Sequence, residues 1–80
     1  MINEQIKLAV LYEIQQREMS KKDFAEKVGI KPIYLYRLLS GDKRFSFRLL
    51  ELISSKLKLK TSQLLRRGER EYEQRNQQNH

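Results

Sequence analysis

The sequence predicts a compact all-α domain of four to five helices, and three observations carry that prediction. Apolar residues recur at intervals of three and four in successive segments of an 80-residue chain. Leu, Lys, Glu and Gln are abundant while there are only one Pro and three Gly, a composition that favours helix over strand. And residues 20–41, SKKDFAEKVGIKPIYLYRLLSG, read as two short helices joined by a tight turn. The length suits one domain with a modest core, burying roughly 60% of the unfolded surface.

The first helix is predicted over residues 4–17, where Ile6, Val10 and Ile14 recur every four positions and Leu11 broadens the stripe that covers the helix pair. Ser20 is a good N-cap for the second, with Asp23 three residues on to reciprocate in a capping box. Met19 before the cap and Phe24 at the fourth helical position have the spacing of a hydrophobic staple. Phe24, Ala25 and Val28 share a face, and Gly29 follows where a left-handed residue ends a helix cheaply.

Pro32 suits the first position of the third helix because it has no amide to leave unsatisfied. Leu35, Leu38 and Leu39 give that helix its apolar stripe, and Gly41 ends it. Residues 42–45 form a polar, basic loop. Ser46 then caps a fourth helix, with Phe45 and Leu50 repeating the staple and Leu49, Leu50, Ile53 and Leu57 closing the core. Residues 61–65 start a short fifth helix whose Leu64 and Leu65 either finish the core or serve a dimer contact. The domain is predicted to span residues 1–67. Residues 68–80 hold one large apolar residue, Tyr72, so a disordered polar tail is expected there.

The formal charge of +7 is unevenly spread. Residues 21–60 hold eleven Lys and Arg against four acids and carry the whole excess, while the two flanks nearly cancel. A solvated cationic surface explains the sign; its coincidence with the paired short helices points to a phosphate-bearing partner.

With no Cys, no interior His, no glycine-rich phosphate loop and no paired carboxylates, the chain offers no catalytic constellation, cofactor cradle or metal site. His80, the only histidine, stands at the chain end without a partner pattern. The absence of Cys, of a signal-peptide apolar segment and of an apolar run near the ~20 residues of a membrane span leads to the expectation of a cytoplasmic protein with no membrane partner. No helix sets a basic face opposite a broad exposed apolar one, as membrane-surface binding requires.

From Ser20 onward to Leu65 the chain resembles the Xre/Cro family of lambda-repressor-like helix-turn-helix domains. The resemblance rests on the joint spacing of Ser20, Phe24-Ala25, Val28-Gly29-Ile30, the helix of residues 31–40, and Gly41. It departs from the family at two places. Ile14 and Leu39 stand where many members have an Arg–Glu ion pair, a coherent exchange of a buried pair for packed hydrophobes that is often neutral or stabilising. Lys58 stands where the family commonly has Gly, so a different end to the fourth helix is expected.

The resemblance implies DNA binding with the third helix in the major groove. By position, Lys31, Pro32, Ile33, Tyr36 and Arg37 match the family's base-reading sites. Arg37 is suited to guanine O6 and N7, whereas Pro32 and Ile33 are limited to thymine methyls and shape. Lys21 matches a phosphate contact, with Tyr34, Ser40, Lys43 and Arg44 as further backbone candidates. The function so implied is a Cro-like repressor that binds a palindromic operator as a homodimer, without a cofactor. The alternative, kept open by the apolar and aromatic Pro32, Ile33, Tyr34 and Tyr36, is a protein-interaction module or antitoxin of the same fold whose main partner is another protein.

Overall fold

The computed structural model describes residues 2–78, and within them five helices and no strand are found. They are α1 (Ile2–Gln16), α2 (Lys21–Val28), α3 (Pro32–Ser40), α4 (Phe47–Lys56) and α5 (Thr61–Gln78). One core joins them. Ile6, Ala9, Val10 and Ile14 from α1 meet Phe24, Ala25 and Val28 from α2, Leu35 and Leu38 from α3, Leu49, Leu50 and Ile53 from α4, and Leu64 from α5. Phe24 is completely enclosed, and a side chain of that size contributes about 2 to 3 kcal/mol by leaving water.

Both serines cap their helices, but only the Ser20 half of the expected Ser20–Asp23 box is formed: no bond runs from the Ser20 N–H to the Asp23 carboxylate. Ser20 Oγ accepts the Asp23 N–H at 3.0 Å and Ser46 Oγ accepts the Leu49 N–H at 3.1 Å, each in the extended conformation proper to an N-cap. Met19 packs half-buried on the core that holds Phe24. Ile14 and Leu39 both join the apolar core, so the exchanged pair is accommodated by packing. Ser54, a buried polar residue, is satisfied by donating to Leu50 O at 2.9 Å.

Two further findings differ from the sequence expectations. The end of α4 keeps the geometry that the family reaches with Gly: Lys58 adopts φ 59°, and the Leu59 N–H closes on Ser54 O at 2.9 Å. That bond spans the helix end as in a Schellman motif and offsets the left-handed cost. Glu18 does the same after α1 with φ 53°, and there the Met19 N–H reaches Ile14 O at 3.1 Å.

The larger correction concerns residues 68–78. In place of a disordered tail, α5 continues through Gly68 to Gln78 and packs lengthwise on α1. Three contacts hold it there. Arg67 lies 4.0 Å over the Tyr12 ring, Gly68 is buried against the Gln5 carbonyl, and Arg75 donates to Glu4 Oε2 at 2.9 Å. Gly68 leaves space where a side chain would hold the helices apart. The expectation for His80 lies outside the described residues.

Candidate nucleic-acid interface

The turn between α2 and α3 is built by Gly29, which takes φ 92°. Its own N–H and that of Ile30 both close on Ala25 O, at 2.8 and 3.0 Å. A residue with a Cβ is strained in that conformation, so glycine sets where α2 ends. Lys31, extended and without a side-chain cap, leads into Pro32 at the start of α3. Gly41 ends α3 with φ 91°, and the Lys43 N–H reaches back to Arg37 O at 3.2 Å.

Inside this frame α3 divides into two faces. Leu35 and Leu38 are fully buried, which anchors the helix and fixes its rotation. On the other side Ile33 is 58% exposed and Tyr36 49%, with Lys31 and Arg37 also open to solvent. The core does not account for an exposed Ile and Tyr beside two cations. Pro32 is half-buried, so it presents only part of its ring.

Lys21, the first residue of α2, is exposed and sends its Nζ to 5.9 Å from the centroid of the Tyr36 ring. One expected phosphate contact and one expected base contact are therefore side by side across the two helices. No spacing rule links them in sequence, because the contact depends on how α2 and α3 cross. Lys43 and Arg44 are exposed in the loop that follows α3.

Two of the expected backbone residues sit differently from a free surface side chain. Tyr34 is half-buried and packs against the core. Ser40 uses its hydroxyl proton within the helix end, donating to Arg37 O at 3.1 Å. A contact from Ser40 to phosphate as donor therefore requires the hydroxyl to turn away from that carbonyl.

A second basic feature lies on α5, where Gln63, Arg66, Arg67 and Arg70 line an open cleft of about 200 Å³. The charge count by segment passed over it, because Glu69, Glu71 and Glu73 offset these arginines in sum but not in position. Among the described residues no group of three His, Cys, Asp or Glu side chains comes together as a metal site. Nor is any helix among them long and apolar enough to cross a membrane.

Two short helices crossing at a glycine turn, the second with an apolar face inward and a basic, aromatic face outward, define a helix-turn-helix domain of the DNA-binding class. The family model described as Helix-turn-helix matches residues 10–64, more than half of the chain, and the chain belongs to this Xre/Cro-like helix-turn-helix family. DNA binding by a regulator is the class of function that membership carries. No curated protein and no solved structure matches the chain.

Proposed function

We propose that this chain is a sequence-specific transcriptional regulator, a Cro-like repressor that works in the cytoplasm and binds a palindromic operator as a homodimer. The observation that supports this reading is the outward face of α3, where Ile33, Tyr36 and Arg37 stand exposed on a helix whose rotation Leu35 and Leu38 fix from within. On a duplex, that face enters the major groove with Lys31, Pro32, Ile33, Tyr36 and Arg37 toward base edges. Arg37 takes guanine through two parallel donors, worth about 1 to 3 kcal/mol of discrimination. Lys21, Tyr34, Ser40, Lys43 and Arg44 face the sugar-phosphate backbone and set the register.

The second reading, a protein-interaction module or antitoxin, draws support from the same exposed Ile33 and Tyr36. Protein interfaces favour aromatics and Arg but are depleted of Lys, and here Lys21 and Lys31 border the patch. That balance favours DNA.

The test is selection of random duplex DNA by the purified protein, followed by salt titration of the recovered sites. A two-fold consensus whose log affinity falls with log salt at about −0.9 per phosphate contact supports the operator reading. Weak binding indifferent to sequence transfers the outward face of α3 to a protein partner.

A further inference from the structure

The basic cleft on α5 takes no part in the surface proposed to meet DNA, and its chemistry is one-sided. Gln63, Arg66, Arg67 and Arg70 recur at intervals of three and four, so they share one face over two turns of the helix. Leu64 and Gly68, both buried, fix the rotation that turns this face outward. Arg67 is held in place, for its guanidinium lies 4.0 Å over the Tyr12 ring and donates to Glu71 Oε2 at 3.4 Å. Gln63 Oε1 accepts the Lys60 N–H at 2.8 Å, which commits the one side-chain acceptor of the lining to the helix entrance. Donors alone are left for a ligand: the Gln63 amide and three guanidiniums.

Helix stability does not account for this grouping. Arg66 and Arg70 are four apart and Arg67 and Arg70 three apart, like-charge spacings that work against a helix. Arg66 and Arg70 are exposed, and among the described residues neither meets a carboxylate, although Glu69 and Glu73 stand on the same helix. A bound anion relieves that repulsion.

We propose that this cleft binds a short acidic segment of a partner protein, with Arg66 and Arg70 each taking one carboxylate above the fixed Arg67. At a rise of about 1.5 Å per residue, Arg66 and Arg70 are about 6 Å apart along the axis. Alternate side chains of an extended chain are about 6 to 7 Å apart, so acidic residues at i and i+2 meet both guanidiniums. The planar fork of each Arg suits the paired oxygens of a carboxylate. From Gln63 to Arg70 the row of donors runs about 10 Å, longer than one small anion covers.

A nucleic-acid backbone fits this face less well. Four Arg against three Glu leave residues 61–80 at +1, and Glu69, Glu71 and Glu73 interrupt any continuous track for successive phosphates. The two surfaces also belong to different helix pairs, since α5 packs on α1 and α4 while the face proposed for DNA is built on α2 and α3. One chain can therefore hold an acidic partner whatever α3 meets, and a DNA-bound copy can hold both at once.

The experiment is fluorescence anisotropy of a labelled peptide of alternating Glu and Ser, with four Glu, titrated with the full chain. The expected result is saturable binding that weakens with salt and is lost when Gln replaces each Glu of the peptide. Arg66→Gln/Arg70→Gln should weaken it about tenfold, the combined size of two exposed charge-assisted contacts. Lys27→Gln/Lys56→Gln removes the same charge from exposed positions outside the cleft and should leave it unchanged. Circular dichroism melts check the fold, and the arginine variant should melt no lower than the wild type because like charges are removed.

A wild type that does not bind the peptide overturns the proposal. So does equal weakening in the two double variants, which would reduce the effect to net charge, or displacement of the peptide by inorganic phosphate at matching concentration, which would make the site one for a small anion. Affinity for one fixed duplex is the separate arm. A loss confined to the arginine variant would make the cleft part of the DNA footprint and overturn the proposal. A wild type that binds the peptide and no duplex supports the cleft and counts against the operator reading alone.

Discussion

Lys21 Nζ sits 5.9 Å from the centre of the Tyr36 ring, so the first residue of α2 and the middle of α3 share one contact on the surface proposed to meet DNA. A cation over an aromatic face at an exposed site is worth about 0.5 to 1 kcal/mol, and here it restrains a long side chain that otherwise samples many rotamers. Tyr36→Phe is expected to keep the contact. A double-mutant cycle of Lys21→Met with Tyr36→Leu, read as affinity for one fixed duplex, should show coupling of about 0.5 kcal/mol or more. Strict additivity would mean that the two residues act independently.

Gly68→Ala is expected to destabilise the protein although alanine is the better helix former. A Cβ at residue 68 runs into the carbonyl of Gln5, and backbone cannot step aside as a flexible side chain can. The overpacking cost of about 1 to 3 kcal/mol exceeds the roughly 1 kcal/mol gained in propensity. Thermal melts of Gly68→Ala against an alanine substitution at exposed Gln74 separate the two effects.

Lys58→Gly is expected to raise stability. The left-handed conformation costs a side-chain-bearing residue on the order of 1 kcal/mol, and glycine removes that cost while adding freedom to the unfolded chain. The net gain is a few tenths of a kcal/mol to about 1 kcal/mol, up to several degrees in Tm for a domain of this size. Glu18→Gly should act in the same direction, whereas β-branched Lys58→Val should lower Tm.

Ser20→Ala removes the acceptor for Asp23 N–H at the entrance to α2, at an expected cost of about 1 kcal/mol. Ser20→Asp should retain most of the stability, since a carboxylate accepts the same bond and suits the positive end of the helix. Chemical denaturation of the two variants makes the comparison.

How much of this was legible in the sequence depends on the range of the interaction. Ser20, Ser46, Pro32, Gly29 and Gly41 each act within four residues, so the limits of α2, α3 and the start of α4 could be read directly. Residues 68–78 could not, because their helix rests on Gly68 against Gln5 and Arg75 on Glu4, partners more than sixty positions away. Gly68 in fact looked like a boundary, since a glycine that lets two helices touch and one that ends a helix are alike in sequence. At Lys58 the residue type argued against the left-handed turn, and the Leu59-to-Ser54 bond prevailed.

The candidate site divides along the same line. That Ile33 and Arg37 face outward follows from the inward stripe of Leu35 and Leu38, which the sequence displays. That Tyr34 leans on the core while Tyr36 meets Lys21 depends on how the helices cross.

The ion pair between Glu4 and Arg75, 71 positions apart, sets a schedule for synthesis. The ribosome delivers α1 before α5, the helix that covers it. At about 5 to 20 residues per second the interval is roughly 4 to 14 s. Through that time Ile6, Ala9 and Val10 have only α2, α3 and α4 to lean on, and the nascent chain is open to capture by whatever binds exposed apolar helices.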